Sequence, residues 1–177
     1  VLLSAAKLTF QLESITDIVL ADESYYLANG VHLLESGLPE AAWSPLYAVW
    51  YWVLSGITGK EGNLTLYYLN QKVLIGLSGA FLFGALRSLR IQRSLSLITV
   101  FLYLISGIPV IWPRPSLFGL LIVLILIILT PHIQSNRHYL LTVGVGMLVL
   151  AYIRPEHFVS FIVVSGLILI IPCSFSK

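Results

Sequence analysis

The chain has 177 residues, 58% of them hydrophobic and only 10% charged, with a mean hydropathy of +0.92 and a formal net charge of +2. Soluble domains are usually about 25% charged, so the composition excludes an ordinary soluble domain and reads as an all-α, polytopic transmembrane helical bundle. The single cysteine, Cys173, excludes an internal disulfide and a cysteine-rich metal site, and the few basic residues lie at the edges of apolar segments and do not suggest nucleic acid.

The chain starts at Val1, has Met147 as its one methionine, and opens and closes inside apolar sequence, so it is expected to be a fragment of a longer protein. Its start lacks the basic stretch and uninterrupted apolar core of a signal peptide.

In chain order, residues 1–21 read as the end of a truncated first span and its lead-out. Residues 22–38 form an amphipathic helical pattern, with Leu27, Val31, Leu34 and Leu38 at helical spacing and Gly37 and Pro39 as stops. Residues 43–58 carry Trp43, Tyr47, Trp50, Tyr51 and Trp52, a composition suited to an interfacial helix. Together, residues 22–63 form one loop with two interfacial amphipathic helices, closed by the polar turn at Gly59–Asn63. Residues 64–177 form a bundle of about five spans, at Tyr67–Leu86, Leu95–Trp112, Leu117–Thr130, Tyr139–Ile153 and Phe158–Cys173, with Arg and Pro at the junctions.

Arg87, Arg90 and Arg93 mark one loop as cytoplasmic by the positive-inside rule, and alternation adds Arg137 and Lys177 to that side. All eight acids, Glu13, Asp17, Asp22, Glu23, Glu35, Glu40, Glu61 and Glu156, then fall on the opposite, extracytoplasmic side.

Four places carry chemistry-bearing residues. Asp22-Glu23, at the start of the amphipathic helix, suits a general base or a divalent cation, or else a helix N-cap and dipole complement. Arg154-Pro155-Glu156-His157 places a guanidinium at an outer span end, where it binds a lipid-linked phosphate or snorkels to the interface. Arg114, between Pro113 and Pro115, either reaches the same pocket or belongs only to a loop. Lys72 faces the bundle interior or snorkels outward. His32 reads as a helix-face residue, and His132 and His138, with no carboxylate nearby, do not read as metal ligands. Gly76, Ala80 and Gly84 form a small-residue packing face. Asn63-Leu64-Thr65 matches a glycosylation sequon but lies close to the bilayer.

Three of these stretches together resemble the GT-C superfamily of integral-membrane glycosyltransferases, such as protein mannosyltransferases and lipid A aminoarabinose transferases. Asp22-Glu23-Ser24-Tyr25-Tyr26-Leu27 looks like its first external loop. Trp43-Ser44-Pro45-Leu46-Tyr47 is similar to its PPLYY-like segment, with Ser44 for the first proline. Tyr152-Ile153-Arg154-Pro155-Glu156 is similar to its TRPEG-like motif, with His157 for the glycine.

The resemblance spans about residues 15 to 173 and implies transfer of a sugar from a polyprenyl-phosphate donor to an acceptor on the extracytoplasmic face. It implies Asp22 as the base, Glu23 as its neighbour, and Arg154 on the donor phosphate, helped by Arg114, Lys72, Glu156 and His157. It leaves a divalent-cation cofactor open, because the metal requirement differs between branches. Many relatives carry an acid where this chain has Arg114.

Two other classes compete. A non-catalytic membrane scaffold would use the acids only to solvate a surface. A transporter or lipid flippase needs charge near the bilayer midplane, and the interiors of the spans between Leu95 and Ile153 have no ionisable residue.

Overall fold

A computed structural model describes residues 21–58, 63–111, 114–133, 135–154, 156, 157, 159 and 162. The lead-in at 1–20, the turn at 59–62, Trp112-Pro113, Pro155 and almost all of the span expected at 158–173 lie outside the described residues. Among the described residues the fold is all-helical.

The amphipathic segment forms two helices, not one: α1 (Ala21–Val31) and α2 (Leu33–Ser36). The break falls at His32, and Gly37, with φ of 74°, ends α2 in a conformation that glycine tolerates. A short 3-10 turn, Ala41–Trp43, leads to α3 (Pro45–Thr58). Pro45 takes the first helical position, where its missing N–H costs nothing. Tyr47, Ala48, Tyr51, Leu54 and Ser55 form the buried stripe of α3, at the spacing of one helical face.

Helix α4 (Asn63–Ser88) is longer than its apolar core suggested, with 26 residues, and rises about 39 Å. Left-handed Arg90 (φ 62°) turns the chain into α5 (Arg93–Ile105). The expected second span then breaks: Ser106-Gly107 intervenes, with Gly107 at φ 73°, before α6 (Ile108–Ile111). The hydroxyl of Ser106 donates to the Tyr103 carbonyl and accepts from the Ile108 N–H, which seals the break.

Helix α7 (Arg114–Leu129) starts at Arg114 itself and continues through a 3-10 turn, Thr130–His132. Helix α8 is Asn136–Ile153. Leu64–Ser88 and Arg114–His132 are long and apolar enough to cross a membrane; Arg93–Ile105 and Arg137–Ile153 are shorter apolar helices.

Because α5 returns the chain, α4 and α7 lie parallel. Arg114 meets Gln71 at one end, and the Ser88 hydroxyl reaches the Ile127 carbonyl at the other. Helix α8 runs antiparallel to α7, and a Cβ added at Gly146 would come within 2.5 Å of Leu126. Of the small-residue face on α4, Gly84 approaches Ile128 of α7, whereas Gly76 meets nothing within 4 Å. Packing therefore uses only one end of that face.

Helices α1 and α3 cap the Arg114 end of this bundle. Gly30 allows their close approach, since a Cβ there would sit 2.3 Å from Tyr51 Cβ and 2.8 Å from the Ala48 carbonyl oxygen. Trp50 stacks on Phe118 of α7, with ring centroids 5.4 Å apart. Asp22, Glu23, Arg114, Arg154 and Glu156 gather at this end, while Arg87, Arg90, Arg93 and Arg137 follow the opposite ends of the helices.

Candidate functional site

The acidic pair splits. Both acids sit in the first turn of α1, where the partial positive charge of the helix start favours them, so neither is an N-cap. Asp22 is exposed and has no hydrogen bond or ion pair among the described residues. Glu23 points inward and is 5% exposed.

A directed network holds Glu23. The indole N–H of Trp50 only donates, so the Asn70 Oδ1 that it meets at 2.7 Å is an acceptor and the amide orientation follows. Asn70 Nδ2 donates to the hydroxyls of Tyr47 (2.6 Å) and Tyr51 (2.9 Å). Those hydroxyls spend their own protons on Glu23 Oε1, at 2.6 Å and 2.5 Å. Asn70 Nδ2 also lies 3.3 Å from the same oxygen. Three helices, α1, α3 and α4, are tied at one carboxylate.

Burial pushes the Glu23 carboxyl above its ordinary value; the Tyr47 and Tyr51 hydrogen bonds, Arg114 and Asn70 oppose that rise. Burial also drives the Tyr47 and Tyr51 hydroxyls up, so both remain donors at neutral pH.

Arg114 joins the network from α7. It donates to the Tyr67 hydroxyl and, at 3.3 Å, to Gln71 Oε1, and its guanidinium lies 4.4 Å from the centroid of the Tyr67 ring. Tyr67, Asn70 and Gln71 thus form a buried polar band on the inner face of α4, with Glu23 on one flank and Arg114 on the other.

Arg154 ends α8 at the same end of the fold. Its fork holds Glu156 through two hydrogen bonds, 2.6 Å and 3.1 Å, and a third at 2.7 Å reaches the Ser116 hydroxyl of α7. This pairing, first through the hydrogen bond, holds the Glu156 carboxyl down to about 2. In Arg154→Gln, a carbon-detected NMR titration should therefore find the Glu156 midpoint raised from about 2 towards the ordinary 4.5. A midpoint that stays low would mean that another group holds it.

Tyr26, one turn along α1 from Glu23, is close enough to act electrostatically on Arg154. His157 packs near Gly119, whose added Cβ would lie 3.7 Å from His157 Nε2.

Lys72 is not among these groups. It lines a cavity of about 470 Å³ with Leu64, Thr65, Tyr68 and Leu69, on a different face of α4 from the buried band. His32 pairs with Glu35 at 2.9 Å in the open. No group of three or more His, Cys, Asp or Glu able to hold a metal ion occurs among the described residues.

The composition and motifs offer Glu23, Arg114, Arg154 and Glu156 as site residues; they mark Tyr47, Trp50 and Tyr51 only as interfacial aromatics, Tyr47 also within the PPLYY-like segment, and do not single out Asn70 or Gln71. The legible signal was Asn70-Gln71, two adjacent amides inside an apolar span, where polar groups require partners. Compared with models of known protein families, with curated proteins and with solved structures, the chain matches none.

Proposed function

We propose that this chain is part of a polytopic membrane glycosyltransferase of the GT-C type. Its site lies at the Asp22 end, on the extracytoplasmic face by the positive-inside rule, and its donor is a polyprenyl-phosphate sugar held at the bilayer surface. The observation that carries the reading is the gathering of one exposed acid, Asp22, and two arginines, Arg114 and Arg154, at one end of the fold.

The chemistry has two charge demands. The acceptor hydroxyl must lose a proton as its oxygen attacks the sugar carbon, and exposed Asp22 suits the base. The bond from that carbon to the carrier phosphate breaks, and the departing phosphate needs positive charge, which Arg154 and Arg114 supply. Glu23 does not compete with Asp22 as base, because two tyrosines occupy its Oε1. It positions the start of α1.

Asp22→Asn in the full-length protein is expected to reduce transfer by about 10²–10⁴-fold. Expression should not change and the melting temperature should fall only slightly, since Asp22 is exposed and, among the described residues, has only the favourable charge of the helix start to lose. Transfer of labelled sugar to acceptor in membranes checks this, and wild-type activity in Asp22→Asn removes it as the base.

A second reading, a non-catalytic scaffold subunit, draws support from the pairing of the polar groups: two tyrosine hydroxyls and Asn70 hold Glu23 Oε1, and Arg154 is paired with Glu156. It expects Asp22→Asn to change nothing.

A further inference from the structure

Two buried donors next to one another are left over in the polar band. Gln71 is 1% exposed, and among the described residues its Nε2 has no hydrogen-bond partner; Arg114 Nε, also buried, has none there either. The two side chains already touch, through Arg114 Nη2 and Gln71 Oε1 at 3.3 Å, so the orphaned N–H groups belong to one small locus. Buried polar groups in folded proteins are almost always satisfied, and an exception calls for an explanation.

The charge around them is also incomplete. Every direct partner of Arg114 is neutral: the Tyr67 hydroxyl, the Tyr67 ring and the Gln71 amide oxygen. The nearby carboxylate, Glu23, acts on it only through space, because Tyr47, Tyr51 and Asn70 take its bonded oxygen. A half-buried guanidinium without a bonded counterion is costly, and an oxyanion is the usual remedy.

A water could satisfy the two N–H groups but would leave the charge unpaired. An anionic oxygen satisfies both demands at once. Arg114 Nη2 is already committed to Tyr67 and Gln71, so the locus suits a single oxygen bridging Nε and Gln71 Nε2 more than a two-oxygen fork contact.

We infer that Gln71 and Arg114 form an oxyanion pocket for a phosphate or carboxylate group. Sugar transfer is not a premise of this inference: binding alone tests it, so its failure and a failure of the Asp22 assignment are distinguishable.

The test uses the full-length protein in nanodiscs. The unfolding midpoint is followed by tryptophan fluorescence at fixed ionic strength, with sodium phosphate, sodium acetate and a short-chain alkyl phosphate as probes and chloride as the control. At least one probe should raise the midpoint saturably, by several degrees at concentrations about 100-fold above its dissociation constant. A response to the alkyl phosphate alone assigns a lipid headgroup; a response to inorganic phosphate or acetate assigns a free anion.

Gln71→Glu replaces the orphaned donor with an acceptor and gives Arg114 an internal counterion. It should raise the midpoint without any anion and weaken the apparent probe affinity at least about tenfold. Arg114→Lys keeps the charge but removes Nε and should weaken the affinity similarly; it serves if Gln71→Glu does not fold. A wild-type midpoint unmoved by all three probes, or a full response retained in either folded variant, overturns the pocket.

Discussion

Replacing Glu23 with alanine is expected to cost about 3–5 kcal/mol of folding stability, whereas Glu23→Gln should cost about 1 kcal/mol. The alanine removes the acceptor shared by two tyrosine hydroxyls that are themselves fully buried. Each orphaned buried donor costs about 1–3 kcal/mol, and Arg114 loses its electrostatic interaction with Glu23. Glutamine keeps an oxygen where the hydroxyls point. Typical folded domains are stable by about 5–15 kcal/mol, so Glu23→Ala should yield a loosened protein. Denaturation followed by tryptophan fluorescence reads both variants, since Trp50 donates into the same network. Equal stability of the two would mean that the hydroxyls find other acceptors.

The same residue sets a pH dependence. Its folded-state carboxyl is raised above the ordinary 4.5, so within that interval the folded chain holds the extra proton. Stability then falls as pH rises from about 4.5 through the raised value, and levels off above it. Glu23→Gln should flatten that interval. A slope that survives the substitution belongs to another group.

Gly30→Ala should cost roughly 2–3 kcal/mol, at the upper end of what an added methyl does to a packed contact. Its Cβ would meet Tyr51 Cβ at 2.3 Å, the Ala48 carbonyl oxygen at 2.8 Å and the Trp52 nitrogen at 3.2 Å. These are backbone or near-backbone atoms of α3, so no rotamer change relieves the clash and the two helices must separate.

Glu23 lies about two turns before Gly30, on the same side of α1, and its acceptors' donors, Tyr47 and Tyr51, flank the contact. Separation lengthens those hydrogen bonds, so Gly30→Ala and Glu23→Ala should be less than additive. Gly56→Ala is the control: nothing lies within 4 Å of a Cβ there, and better helix propensity should stabilise α3 by about 0.5–1 kcal/mol. Equal effects at the two glycines would exclude close packing as the cause.

Composition and periodicity alone determined the helical class, the four strongest apolar segments that are described, and the placement of Asp22, Glu23 and Glu156 at one end and of Arg87, Arg90 and Arg93 at the other. These are legible because hydrophobic runs, prolines and charges act locally. The division of labour within Asp22-Glu23 was not. Two adjacent carboxylates look alike in a sequence, and only the crossing of α1 over α3, allowed by Gly30, decides which of them faces the tyrosines.

Tertiary structure likewise decided the recruitment of Asn70 and Gln71. Their partners lie 19 to 47 residues away in the chain, at distances no local pattern encodes. Burial made those pairings obligatory, because a polar group removed from water must find a partner wherever the fold brings one.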